Sequence, residues 1–173
     1  DWAARRESLE QVVVSSLQEC SRAERARLWA ELAQVYMATG QWTDAALCWT
    51  HCGWNDLDNR YAWAEGWWRS ELQLAKLPES ASFPEAILSG LSPVIAARLA
   101  AAYLVVSDAR EQFDVSRNLP LKSLQWLVER YESDLPTPIV WLATRALEHW
   151  TGSDPLTLAR CRDRLFARLG QSG

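Results

Sequence analysis

The residues best suited to metal binding or nucleophilic chemistry fall in one short segment. Cys48 and Cys52 are one helical turn apart, a spacing that lets two thiolates share one zinc ion. His51 directly precedes Cys52, so on a helix the two side chains diverge by about 100°. No second pair of ligands with a recognisable spacing follows. Cys48 and Cys52 are therefore weak metal candidates, and we expect small buried thiols and no bound metal.

No segment carries an enzyme motif. A cysteine–histidine pair needs the base aimed at the sulfur and a third group that orients the base, which neighbouring helical positions do not supply. The chain lacks a Walker loop, a glycine-rich dinucleotide fingerprint, a His-Glu-x-x-His segment and a nucleophile elbow. We therefore expect no catalytic residue and no cofactor. A regulatory or catalytic domain with a small-molecule or metal site remains an alternative, because scattered carboxylates leave no sequence signature.

A row of arginines forms a possible secondary binding face. Arg160, Arg164 and Arg168 recur every fourth residue on the last predicted helix. Such a row fits an anionic partner such as a phosphate, RNA or an acidic peptide. It equally fits a solvated face whose positive charges favour the end of a helix. Asp163 within the row and the net charge of −4 favour the solvated face and argue against nucleic-acid binding.

Composition predicts one folded domain. The chain has 173 residues, of which 49% are hydrophobic and eleven are tryptophan, enough to build a tryptophan-rich core. The longest apolar run, Leu99 to Val106, is far shorter than the roughly 18 residues that span a bilayer, so we expect no membrane partner. Four cysteines without framework spacing predict free thiols and a cytoplasmic location. Because the chain starts at Asp1, we expect a piece of a larger multidomain protein.

The elements that must position these residues are helices. Hydrophobic periodicity and capping signals favour an all-α fold of about eight or nine helices arranged as antiparallel hairpins. A proline-containing linker at 77–84 separates an N-terminal lobe, 1–77, from C-terminal hairpins, 84–173, and we expect the two to form one continuous module.

The first two predicted helices run from Trp2 to Cys20 and from Ser21 to Gly40. Thr43 or Asp44 should cap the third, which stops at Gly53, and Asn55, Asp56 or Asp58 should open the central helix that runs to Leu77. The remaining predicted helices are 84–90, 93–112, 120–133, 138–151 and 155–169. Ser21 and Glu24 form a capping box, whereas Gly40 and Gly53 each end a helix.

The helix predicted from Asn59 to Leu77 is apolar on two flanks, so it should lie between neighbouring elements. One flank carries Trp68 and the other Trp63 and Trp67. Only a narrow stripe remains for water, formed by Ala62, Glu65, Gly66, Arg69, Gln73 and Lys76. Glu71 lies opposite that stripe, so we expect it to be paired or to line a cleft.

Residues 26–58 resemble one tetratricopeptide repeat. The matching pattern is Trp29-x2-Leu32-Ala33-x2-Tyr36-x3-Gly40-x-Trp42-x2-Ala45-x3-Trp49-x2-Cys52. It departs from the family at Ala33, where glycine is usual, at Trp49, where phenylalanine is usual, and in lacking a final proline. Trp63 follows Trp29 by 34 residues, the family's period, so a degenerate second unit begins there. The resemblance implies a helical solenoid; an irregular helical bundle is the alternative.

The resemblance also implies a ligand face on the first helix of each hairpin. The matching positions are Arg27, Ala30, Gln34 and Met37, followed by Tyr61, Ala64, Trp68 and Glu71. We expect a non-enzymatic interaction or scaffold module that binds a peptide, a protein or a neighbouring domain of the parent chain. Two alternatives concern the same surface: the C-terminal helices cover Trp68, or a homo-oligomer buries the tryptophan-rich face.

Overall fold

The computed structural model describes residues 1–16, 19–56, 62–78, 90–110 and 137–148, together with six single positions between 156 and 170. These ranges hold six helices: α1 (Trp2–Ser16), α2 (Arg22–Ala38), α3 (Trp42–Asn55), α4 (Ala64–Leu74), α5 (Pro93–Ala109) and α6 (Thr137–Glu148). No strand occurs within them, which confirms the all-α class.

The helix count of six falls below the eight or nine predicted. The predicted helices 84–90 and 120–133 lie outside the described residues, and 155–169 is described only at single positions, all helical. Among the helices that are described, none combines the length and apolar character needed to cross a membrane.

Both ends of α2 follow the local signals in the sequence. The Ser21 Oγ accepts a hydrogen bond from the Glu24 N–H at 3.2 Å, and the Glu24 carboxylate accepts one from the Ser21 N–H at 2.8 Å, which confirms the capping box. Gly40 has a φ of +71°, and the N–H of the next residue, Gln41, donates to the Tyr36 carbonyl at 2.9 Å. This left-handed turn ends the helix.

The predicted limits of α3 were wrong at both ends. Neither Thr43 nor Asp44 caps it, since the helix begins at Trp42 without a side-chain cap. Gly53 does not end it, because the helix continues to Asn55 with Gly53 buried inside. Asn55 and Asp56 thus end this helix and do not open the next one.

The helix predicted from Asn59 to Leu77 is shorter, running as α4 from Ala64 to Leu74. It stops because Lys76 adopts a left-handed φ of +56° and the Leu77 N–H turns back to the Leu72 carbonyl at 2.9 Å. The first predicted helix likewise ends early, at Ser16 instead of Cys20. Within α4 and its flanks the predicted water-facing stripe is confirmed at Ala62, Glu65, Arg69 and Lys76, which are exposed, whereas Gln73 is half-buried and Gly66 faces the Trp49 ring of α3.

The helices pack largely in chain order around one core. Each described helix contacts the next, and α6 also returns to α3. There Trp54 and Trp141 meet edge to face with ring centroids 5.0 Å apart. A single hydrophobic cluster runs from Val13 in α1 to Ala146 in α6. Because α4 lies against both α3 and α5, its two apolar flanks are buried as the sequence predicted.

Two glycine–tryptophan contacts bring α3 and α4 together. A Cβ placed on Gly66 of α4 would overlap the Trp49 ring of α3. A Cβ placed on Gly53 of α3 would lie 2.7 Å from the ring of Trp63, which immediately precedes α4. Each helix therefore offers a glycine to the indole of the other. Because glycine has no Cβ, both indoles can pack directly against the backbone of the opposite segment.

We expect Gly66→Ala and Gly53→Ala each to destabilise the protein by about 1–2 kcal/mol. The added methyl group displaces an indole, and this cost exceeds the gain of up to about 1 kcal/mol that alanine normally brings to a helix interior. Urea unfolding measures the change. Gln34→Ala and Gln34→Gly form the control pair, because at this exposed site alanine should be the more stable by about 1 kcal/mol. A stabilised Gly66→Ala variant would contradict the close packing.

Candidate interaction groove

A groove of about 530 Å³ lies between α2, α3 and the turn that leads into α4. Small residues form much of its surface, tryptophans close it from below, and a few polar side chains lie among them. Its lining comprises Ala23, Ala26, Arg27, Ala30, Gln34, Trp49, Cys52, Asp56, Ala62 and Trp63. A concave, mostly apolar surface with few polar groups has the usual character of a binding site.

One wall of the groove is the face of α2 that the sequence pointed to. Arg27, Ala30 and Gln34 all line it, as expected for the first helix of the repeat-like hairpin. Ala23 and Ala26 extend the same wall toward the start of the helix. The wall therefore consists mainly of residues too small to fill the space in front of them.

The floor is fixed by packing beneath it. Trp49 is held by Gly66 on one side, and its indole N–H donates to the Met37 sulfur at 3.3 Å. Met37 is half-buried and lies outside the lining, so it supports the floor without facing the groove. Trp63 is 2% exposed and fills the space left by Gly53. Seven lining residues were not among the predicted ligand-face positions: Ala23, Ala26, Trp49, Cys52, Asp56, Ala62 and Trp63.

Among the described lining residues, the charged ones are Arg27 and Asp56. The Arg27 side chain is 83% exposed and forms a 3.4 Å ion pair with Glu31 one turn along α2. Such an exposed pair contributes little to stability, so the guanidinium can change partners at small cost. Asp56 is half-exposed at the end of α3. The groove thus has a cation on one helix and an anion at the end of the other.

Trp68 and Glu71, which the sequence placed on the ligand face, are buried by α5. Trp68 is 4% exposed and its ring lies 5.4 Å from that of Tyr103. Glu71 is 1% exposed. The alternative in which the C-terminal helices cover Trp68 is therefore the arrangement in the structure. Ala64 is buried as well, and Tyr61 lies outside the described residues.

Glu71 forms an ion pair with Arg98, which confirms the first of the two arrangements expected for it, pairing or lining a cleft. Its Oε1 accepts hydrogen bonds from Arg98 Nε at 3.0 Å and from the Trp67 indole N–H at 3.0 Å, and Arg98 Nη2 lies 2.9 Å away. Burial raises the pKa of Glu71 above its usual value, while Arg98 and the indole oppose that shift. Glu71 therefore joins α4 to α5 in the core and does not contact a ligand.

The thiol segment shows no metal-like grouping. Burial raises the pKa of Cys48 and of Cys52 to about 12, so both thiols are protonated and poor nucleophiles at neutral pH. The His51 ring stacks on Trp29, with centroids 4.5 Å apart, and burial lowers its pKa. Across the described residues, no three His, Cys, Asp or Glu side chains are grouped to hold a metal ion.

The arginine row is described at one position only. Arg160 is exposed on a helical residue, whereas Arg164 and Arg168 lie outside the described residues. The choice between an anion-binding face and a solvated face therefore stays a prediction.

We expect Glu71→Gln to change the pH dependence of stability in a specific direction. A raised pKa means that the folded state binds the Glu71 proton more tightly than the unfolded chain. The resulting stability is complete below the unfolded pKa of 4.5 and is lost as the pH rises through the folded pKa. The unfolding free energy of wild type minus that of Glu71→Gln should therefore fall as pH rises above 4.5.

Glu65→Gln is the matched control with the opposite sign. Hydrogen bonds from Arg110, at 2.5 and 2.7 Å, hold the pKa of Glu65 below its usual value. That stability is present above the unfolded pKa and lost as the pH falls through the folded one, so the wild-type advantage should grow with pH. Urea titrations from pH 3 to pH 8 measure both differences, because the Glu65 change falls below pH 4.5 and the Glu71 change above it. A Glu71 difference that also grows with pH would mean that the Arg98 ion pair outweighs burial.

Comparison with known families concerns the C-terminal part of the chain. Residues 99–173 match a family model described as Domain of unknown function (DUF8587). No curated protein and no solved structure matches the chain. The matched region includes Tyr103 and α6, whereas every groove residue precedes it. The similarity therefore covers helices that bury Trp68 and does not extend to the groove.

Proposed function

We propose that this chain is a non-enzymatic interaction module that binds a protein segment in the groove between α2 and α3. The observation that carries the proposal is the 530 Å³ groove along Arg27, Ala30 and Gln34. These three residues occupy ligand-facing positions of the first helix in the tetratricopeptide resemblance. A partner is a protein, a peptide or another domain of a larger parent chain.

Several features of α2 and α3 support the tetratricopeptide-like assignment. The two helices form an antiparallel hairpin around a turn at Gly40. The small residues Ala33 and Ala45 are fully buried, which lets the helices approach closely. Trp63 precedes a further helix at the family's repeat distance. We propose one such repeat, followed by a degenerate unit that departs from the solenoid where α5 covers Trp68.

Chemistry in the groove favours binding over catalysis. Cys52, the thiol among the described lining residues, is held protonated by its buried position. The described lining residues include no histidine, and the carboxylate among them is that of Asp56. These residues fit a binding role better than a catalytic one, and the free thiols Cys20, Cys48 and Cys52 fit a cytoplasmic location.

Capture from a lysate of the source organism tests the proposal. We expect wild type to retain a partner that Ala30→Trp loses at least about tenfold, because the indole fills a groove that needs a buried contact core. Ala30 is half-buried, so the larger side chain has room to extend outward without unfolding α2.

Ala4→Trp is the matched control for this experiment. Ala4 is exposed on α1, outside the groove lining, so the same indole added there should leave retention unchanged. Quantitative mass spectrometry of the three captures measures the difference. Equal retention by all three proteins would contradict a partner site in the groove.

A further inference from the structure

We infer that the occupant of the groove is one amphipathic α-helix of a partner protein, with a stripe of small and medium apolar residues and a carboxylate facing Arg27. The inference rests on the proposed function and specifies what kind of segment the groove takes. It follows from three features of the described lining: its mostly helical backbone, its row of small residues and the exposed charge of Arg27.

The groove offers little to the backbone of an extended peptide. Most of its described lining residues lie within α2 and α3, where main-chain groups are hydrogen-bonded along the helix; at the end of α3 the Asp56 N–H likewise donates to the Cys52 carbonyl at 2.9 Å. An extended segment would bury an N–H and a carbonyl at each residue, with few partners beyond the side chains of Arg27, Gln34 and Asp56. A helix pairs its own backbone groups and avoids this repeated cost.

The wall of α2 has the spacing that a docked helix needs. Ala23, Ala26 and Ala30 recur at intervals of three and four residues, so they lie along one face of α2. Small side chains let two helix axes approach to about 8 Å, the short end of the usual range. From Ala23 to Gln34 the wall is about 16 Å long at 1.5 Å per residue, which matches roughly three turns of a partner helix.

The exposed charge of Arg27 specifies the chemistry of the occupant. Arg27 is 83% exposed and its bond to Glu31 is a weak surface pair, so an incoming carboxylate gains a cation without breaking a buried interaction. A helix with an acidic residue beside its apolar stripe complements this cation.

Two displayed peptide libraries, presented to the full chain, test the inference. One library carries helical peptides of about 15 residues, long enough for helix formation. The apolar stripe of these peptides is varied. One position that flanks the stripe is glutamate, glutamine or lysine. The other has the same composition with a proline at every third position, which prevents a helix. Selected peptides are then synthesised and their Kd values measured by fluorescence anisotropy.

We expect binders from the helical library with glutamate enriched at the flanking position. Ala30→Trp and Gln34→Trp should each weaken binding at least about 30-fold, the loss typical of a blocked central contact. Ala4→Trp should leave it unchanged. Arg27→Glu should weaken a glutamate-bearing peptide about fivefold and favour its lysine counterpart. Arg5→Glu, an exposed charge reversal on α1, is the control for net charge.

The possible failures are distinguishable. Groove-dependent binders from the proline library alone would overturn the helical occupant and leave the proposed function intact. If neither library yields a binder that Ala30→Trp and Gln34→Trp weaken, the groove is not a binding site, and the inference fails with it. Circular dichroism of each variant shows that the fold is retained, and two independent blocking variants guard against a local distortion at either position.

Discussion

The contact between α3 and α4 determines the shape of this molecule. The Trp49 indole packs against Gly66 and the Trp63 indole packs against Gly53, so each segment contributes one glycine and one indole to the contact. Any Cβ at either glycine would occupy space that an indole needs. The same two indoles form the floor of the groove, and α2 supplies its wall. The packing that joins the helices therefore also defines the surface that a partner would meet.

Two arginine–carboxylate pairs orient the next helix. Arg98, near the start of α5, reaches Glu71 near the end of α4, and Arg110, just after α5, reaches Glu65 near the start of α4. The pairs fix α5 antiparallel on α4 and keep it over Trp68. A buried pair of this kind contributes more to a unique arrangement than to net stability, because desolvation offsets much of its attraction. The consequence for function is that α2, and not the face of α4 that carries Trp68, remains open to a partner.

Local signals predicted much of this fold. The capping box at Ser21 and the left-handed Gly40 depend on a few neighbouring residues, so the sequence was enough to place the ends of α2. The limits of α3 and α4 depend on tertiary contacts: Gly53 stays inside a helix because the indole of Trp63 lies against it. The neighbours of the two flanks of α4 were equally hidden, since Trp63 and Trp68 are the same residue type and both are buried. The structure distinguishes them by placing Trp63 against Gly53 of α3 and Trp68 against Tyr103 of α5.

In the proposed binding mode, affinity and selectivity come from different residues. Trp49 and Trp63 are buried and packed against Gly66 and Gly53, so a ligand would meet a floor that needs little rearrangement, because the cost of ordering it is met by folding. Arg27 and Gln34 are exposed and lose rotamer freedom on binding, which limits the affinity they add. Their contribution is discrimination, because a mismatched charge at Arg27 is repelled while the apolar contact with the floor is unchanged. Partners that share an apolar stripe would then be sorted by the charges beside it.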